Sequence, residues 1–141
     1  MSETNINEFV RSVRTFDKKT VPEEAAKFQR ALTLDALNRV VFRSPVDKGR
    51  FKGNWQVFTR KGAPVPEDPN LIDKQGGATI ARESPKIRRI KPFSFSGVGN
   101  GVPYAVRLED GHSKIQAPAG IVGPVIAELI VIAEQFGRLK A

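Results

Sequence analysis

The residues best suited to chemistry in this sequence sit in one short run, Glu109-Asp110-Gly111-His112-Ser113. A carboxylate, an imidazole and a hydroxyl are the parts of an acid–base or nucleophilic site. Residues this close within one loop seldom meet in nucleophile–base geometry, and no second histidine or oxyanion-hole motif accompanies them. His112 with carboxylates alone is also a weak metal set. The run therefore reads as a hydrogen-bonding loop, and no catalytic, metal or cofactor-binding residue is expected. Gly97-Val-Gly99-Asn-Gly101 imitates a dinucleotide fingerprint, but Val102 stands where its third glycine belongs, and the run reads as a turn after a strand.

The stretch from Arg82 to Lys91 sets Arg82, Lys86, Arg88, Arg89 and Lys91 against Glu83. One reading is a strip of phosphate contacts for DNA. The other is the solvated face of a strand whose Ile87 and Ile90 face the core. Stacking aromatics are not interleaved with these charges as single-strand binders require, and the solvated face is preferred. Trp55 and Tyr104 are the only residues of their kinds. Each is large with one polar handle, which fits a core anchor first and an interface anchor second.

The elements that hold these residues belong to a chain of 141 residues, a length that favours a single domain. It has no cysteine, which excludes disulfides, thiol nucleophiles, iron–sulfur clusters and Cys/His zinc sites. Its net charge of +8 permits contact with acidic partners without naming one. The start lacks a signal-peptide pattern, and the most apolar stretch, Ala117 to Ala133, is interrupted by Pro118, Pro124 and Glu128. A soluble protein with no membrane partner is expected.

Residues 5–19 read as an amphipathic helix or arm, capped by Asn5 with Glu8, and with Ile6, Phe9, Val10, Val13 and Phe16 on one side. Thr20 then caps a second helix, running to about Phe42. It carries one apolar stripe through Val21, Ala25, Phe28, Leu32, Ala36 and Val40, and a second through Leu34, Leu37 and Val41. A helix apolar on two sides is covered on two sides, here by the sheet and by something else such as another subunit. Ser44-Pro45 stops it.

Residues 51–59 alternate as a strand with Phe51, Trp55 and Val57 on one face, and Gly53 marks a bulge or a close backbone approach. The Pro- and Gly-rich residues 61–77 form a flexible loop, or an arm that orders on a partner. Ala78 to Glu83 forms a brief helix stopped by Ser84-Pro85, and residues 91–98 form a second strand through Phe93 and Phe95. Pro103 to Glu109 makes a short helix with Tyr104 and Leu108 on one face. The last helix, Ile121 to Phe136, is apolar enough to be buried on most sides, and Gly137 ends it. The fold class is α+β, with long N-terminal and C-terminal helices on a small antiparallel sheet.

Two runs taken together carry a resemblance. The first is Arg43-Ser-Pro-Val-Asp-Lys-Gly-Arg-Phe-Lys-Gly-Asn-Trp55, between a helix and a strand. The second is Val102-Pro-Tyr-Ala-Val-Arg-Leu-Glu-Asp-Gly-His-Ser-Lys114, followed by Gln116-Ala-Pro-Ala-Gly-Ile-Val122 and a helix. In order and spacing, from about residue 20 to 137, the pairing resembles the minor tail or neck components of tailed bacteriophages, the tail-completion family. Lys48 departs from that pattern, which usually has threonine there. The resemblance implies a noncatalytic virion protein at the head–tail junction, assembled in the host cytoplasm. Its partners would be head-closure and tail-terminator proteins and copies of itself, in a six-fold ring with genomic DNA passing through. The alternatives are a small basic DNA-binding module of a phage or prophage, and a tail terminator.

Asp47, Gly49, Arg50, Trp55, Tyr104, Glu109, Gly111 and His112 are the motif positions expected to shape an interface. Within them, Asp47 is expected to lock its own turn by accepting backbone N–H groups, beside a permissive Gly49. Arg50 would pair with Asp47 or another carboxylate. Glu109 is badly placed for the dipole of its own helix, so a cationic partner is expected, Arg50 or Lys114.

Overall fold

The computed structural model describes residues 3–140, with side chains described for 6–14 and 18–135. Among the described residues it is an α+β fold of six α-helices and two strands: α1 (Glu3–Thr15), a π-helical turn (Phe16–Thr20), α2 (Val21–Arg43), α3 (Arg50–Gly53), β1 (Trp55–Phe58), α4 (Gly77–Ile87), β2 (Gly97–Asn100), α5 (Ala105–Glu109) and α6 (Val122–Lys140). None of the described helices is long and apolar enough to cross a membrane.

The expected break at Thr20 is not a break. Thr20 has helical φ and ψ of −68° and −47°, and the chain stays helical from Glu3 to Arg43, the π turn absorbing the change of pattern. Asn5, Phe16 and Phe136 lie outside the residues whose side chains are described. Ser44 does stop α2, in extended conformation ahead of Pro45.

The core forms where α2 meets the sheet. Leu37, Val40 and Val41 from α2 pack with Phe51, Trp55, Val57, Ile87, Ile90, Val102, Ile121 and Val125. So Leu37 and Val41 of the second stripe point inward with Val40 of the first, while Leu34 stays exposed. Ile87 and Ile90 are core residues, as expected.

Both strands are shifted from where they were expected. Phe51 lies on helix α3 rather than on a strand, and the strand begins only at Trp55. Its spacing from Trp55 fits alternation and one helical turn equally well, and the two rings meet edge to face at 5.4 Å. Gly53 is indeed a close approach, since a Cβ there would lie 2.5 Å from the Leu71 carbonyl oxygen.

The second strand is the glycine run read as a turn. β2 pairs antiparallel with β1, Trp55 opposite Asn100 and Phe58 opposite Gly97. Gly97 and Gly99 permit it, because the Phe58 ring lies where a Gly97 side chain would start, 2.7 Å away. Residues 91–96 are instead tied to α2 by side chains. Gln29 donates to the Ser94 carbonyl (2.6 Å) and the Ser96 hydroxyl (3.0 Å), and Arg30 donates twice to the Ile90 carbonyl. Phe93 takes a φ of 58° and is exposed, which is incompatible with a regular strand.

Pro85 does not stop its helix. It sits in α4, which runs on to Ile87, and the Ser84 hydroxyl donates to the Ile80 carbonyl one turn back. At the other end of the chain, Gly137 lies inside α6. Nor is α6 buried on most sides: Val122, Ile126, Ile130 and Val131 are exposed. It is pinned to α2 by Glu128, which accepts from Arg39 and Arg43 at 2.5 Å each.

Candidate functional site

Both motif runs border one cleft of about 400 Å³. Residues 45–51 form one wall, Tyr104, Leu108, Ser113 and Gln116 the other, with Ile72 at the edge. The structure thus brings Asp47, Gly49, Arg50 and Tyr104 together. Trp55 lies behind this wall as a core anchor: its indole N–H donates to the Ser44 hydroxyl (2.6 Å), which donates to the Val40 carbonyl (2.5 Å). Glu109, Gly111 and His112 belong to the far end of α5, and the basic residues 82–91 to another surface.

The first wall depends on Gly49. Its φ of 88° turns the chain, and its carbonyl accepts from Gly53 N–H and Asp73 N–H, both at 2.9 Å. A Cβ there would meet the Asp73–Lys74 backbone at 2.9 Å, so the position excludes a side chain on two grounds. Asp73, not Asp47, is the carboxylate that locks this region. Its Oδ1 accepts from the N–H groups of Gln75 and Gly76, and its Oδ2 from the N–H and hydroxyl of Thr79. Burial works against its charge, but these donors outweigh it and lower its pKa to about 2. Asp47 is exposed at the rim.

Arg50 reaches neither Asp47 nor Glu109. It pairs with Glu67 from the 61–77 loop and lies over the Tyr104 ring, 5.8 Å from its centre. A guanidinium over an aromatic face is attracted by the ring quadrupole, so Arg50 joins loop, first run and second run. Burial raises the Tyr104 pKa above its ordinary value, with Arg50 opposing. Across the cleft, Gln116 exchanges hydrogen bonds with the Val46 backbone, N–H to Oε1 at 2.7 Å and Nε2 to carbonyl at 3.2 Å.

Glu109 has a partner, but not a cation. Its carboxylate accepts from Ile121 N–H (2.8 Å), Val122 N–H (2.7 Å) and Gly123 N–H (2.8 Å) at the start of α6. Those are donors that a helix leaves free, at the positive end of its dipole. Burial opposes its ionisation, yet the three donors hold its pKa below the usual carboxylate range. An acid that is unfavourable at the end of α5 is thus favourable at the beginning of α6. Gly111, at φ 83°, and His112 close α5. Gly111 N–H donates to the Leu108 carbonyl and His112 N–H to the Arg107 carbonyl, the paired pattern of a Schellman stop. The His112 side chain is exposed.

The basic strip divides. Arg82 and Lys86 lie on α4 and pair with Glu83, whose side chain is only 2% exposed. Glu83 Oε1 also accepts from Val57 N–H (2.7 Å), while Arg82 donates to the Trp55 carbonyl (2.8 Å). These side chains cover the edge of β1 that β2 leaves open. Burial raises the Glu83 pKa, but Lys86, Val57 N–H and Arg82 lower it further, and the net shift is downward. Arg88, Arg89 and Lys91 remain exposed.

Asn54, Asp73, Glu83 and Gln116 were not singled out from the sequence. Asn54 is fully buried; its amide donates to the carbonyls of Arg50, Asp68 and Leu71 and accepts from Asp68 N–H. It holds much of the 61–77 loop against α3. A lone acid flanked by Arg82 and Lys86 was a usable signal for Glu83; the three others act through loop geometry that spacing does not encode. No group of three His, Cys, Asp or Glu among the described residues is placed to hold a metal. The polar side chains around the cleft bind backbone, loop and helix ends, so the arrangement can present a shaped surface. Comparison with protein-family models, with the curated proteins and with the solved structures finds no match to this chain.

Proposed function

We propose that this chain is a noncatalytic structural component of a phage head–tail junction, working by repeated contacts with copies of itself and with neighbouring neck and tail proteins. The observation that carries the reading is the exposed apolar surface of the long helices. Phe42 on α2 and Ile126, Ile130 and Val131 on α6 are each at least 50% exposed. Exposed apolar side chains one helical turn apart, as Ile126 and Ile130 are on α6, mark an interaction face. The convergence of the two resembling runs on one cleft supports the same reading, because Gly49, Arg50 and Gln116 there brace its walls while Asp47 stands exposed at the rim. A ring is the arrangement that the resemblance implies.

Imaging of intact particles tests it. The chain should lie between head and tail, and phage lacking it should accumulate unjoined heads and tails. Fully infectious particles without this polypeptide would overturn the proposal.

A second reading, a small DNA-binding module, draws on a different surface. Lys18, Lys19, Lys27 and Arg30 border a hollow that Glu23 also lines and Pro92 closes, one residue beyond the exposed Lys91. Arg30 also donates to the Ile90 carbonyl, which ties this basic segment to α2. Tight duplex binding that weakens steeply between low and moderate salt would favour it; weak binding at both would favour assembly.

A further inference from the structure

Between α4 and β2 the chain runs through a loop that holds three cations and one aromatic ring in solvent. Arg88, Arg89 and Lys91 are exposed, and none of them has an ion pair or a side-chain hydrogen bond among the described residues. No acid stands between Ile87 and Asn100 to neutralise them. Phe93, two residues beyond Lys91, is 73% exposed. The basic strip from 82 to 91 has no aromatic of its own, so the ring that a stacking contact needs comes from just past its end.

The fold fixes this loop from both ends. Ile90 is buried in the core, and its carbonyl accepts from Arg30 twice, at 3.0 and 2.7 Å. The Ser94 carbonyl accepts from Gln29 at 2.6 Å, while the Ser94 N–H and hydroxyl both donate back to the Lys91 carbonyl. Side chains of α2 thus hold the backbone on either side of Lys91, Pro92 and Phe93. Phe93 takes a φ of 58°, a conformation that costs free energy for a bulky residue. Its neighbour Phe95 rests against Phe58, ring centres 5.8 Å apart, but Phe93 has no ring partner among the described residues. A strained backbone that leaves its ring in water is a ring held ready for something else.

We infer that this loop binds single-stranded nucleic acid, with Arg88, Arg89 and Lys91 on phosphates and the Phe93 ring stacked on a base. Charge selects the class of partner, since a phosphate backbone is a continuous row of anions for cations that have no acid of their own. The ring narrows it, because a duplex hides its base faces and a single strand offers one at each nucleotide. Pro92 joins the loop to a hollow that Lys18 and Lys19 line along with Glu23, so cations continue beyond it. Such binding deepens the nucleic-acid reading, on which it rests, and is independent of the contacts made by α6.

Fluorescence anisotropy with a labelled oligothymidine strand, and with the same strand paired to oligoadenosine, tests it. At low salt Phe93→Ala should bind the single strand about tenfold more weakly than wild type, with less than about a twofold change on the duplex. Phe93→Trp should keep wild-type binding. Arg88→Ala, Arg89→Ala and Lys91→Ala combined should weaken both and flatten the log–log salt dependence on the single strand by about two. Thermal unfolding should stay close to wild type throughout, because all four side chains face solvent. Equal losses on strand and duplex in Phe93→Ala, or no loss on either, would overturn the stacking contact and leave duplex binding standing. No binding to either form removes both. Attachment to phosphatidylserine vesicles that Phe93→Ala abolishes, with no binding to the single strand, would give the loop to a lipid surface and overturn the inference too.

Discussion

The part of the molecule built from α3, β1, α4 and α5 and the part built from α1, α2 and α6 finish their surfaces in opposite ways. In the first, buried or half-buried polar side chains are turned onto backbone: Glu83 onto the β1 edge, Asp73 onto the start of α4, Glu109 onto the start of α6, Asn54 onto the loop. In the second, one ion-pair group around Glu128 holds two helices together and much of the remaining surface is exposed Ile, Val and Phe. The first part satisfies its polar groups within one chain, although Val106 on α5 is exposed; the apolar side chains of the second are the face that the assembly reading gives to a neighbour.

Substitutions can break that contrast. Glu83→Ala should have the largest effect, about 3 kcal/mol lost in urea unfolding, because it strands the Val57 N–H together with two cations. A loss below about 1 kcal/mol would mean that water replaces the carboxylate, and that the edge of β1 is not sealed.

Acid should act next, through Asp73. Its pKa falls from 3.8 to about 2 on folding, so its stabilisation is complete above about pH 4 and is lost as pH falls toward 2. Across that window wild type should lose up to about 2 kcal/mol more than Asp73→Asn, as measured by denaturant midpoints at stepped pH.

Glu109→Ala should cost about 1–2 kcal/mol, the range of a lost helix cap, with Glu109→Gln intermediate. Lys114→Ala should be near neutral; a large effect there would restore the cationic partner expected from sequence. Smallest of all, Ile126→Asp should change monomer stability by less than about 0.5 kcal/mol, since its side chain faces solvent. The same change should abolish self-association in sedimentation, and an Ile126→Asp chain that still associates would detach α6 from the assembly face.

Periodicity located the long helices, α5 and the core isoleucines at 87 and 90 because each repeats a single spacing. It started the first strand one helical turn too early and set most of the second ahead of the glycines that form it. Phe51 and Trp55 satisfy two periods at once, and Gly97–Asn100 has too little side chain to show any period. The cleft was legible as two motif runs, and its wall residues Gly49, Arg50 and Tyr104 were among those named. Its bracing residues were hidden, because Asp73 and Asn54 act across loops whose path is set only when the chain has closed.

By itself the sequence determined an α+β chain without cysteine, strongly basic, with long helices carrying more apolar surface than one sheet can cover. These follow from composition and local spacing, which depend on neighbours along the chain. The tertiary structure alone decided which carboxylate serves which backbone donor, that glycines rather than phenylalanines make the second strand, and that α6 lies half in the open. Such choices depend on groups distant in sequence competing for the same few buried positions, and only folding brings the competitors together.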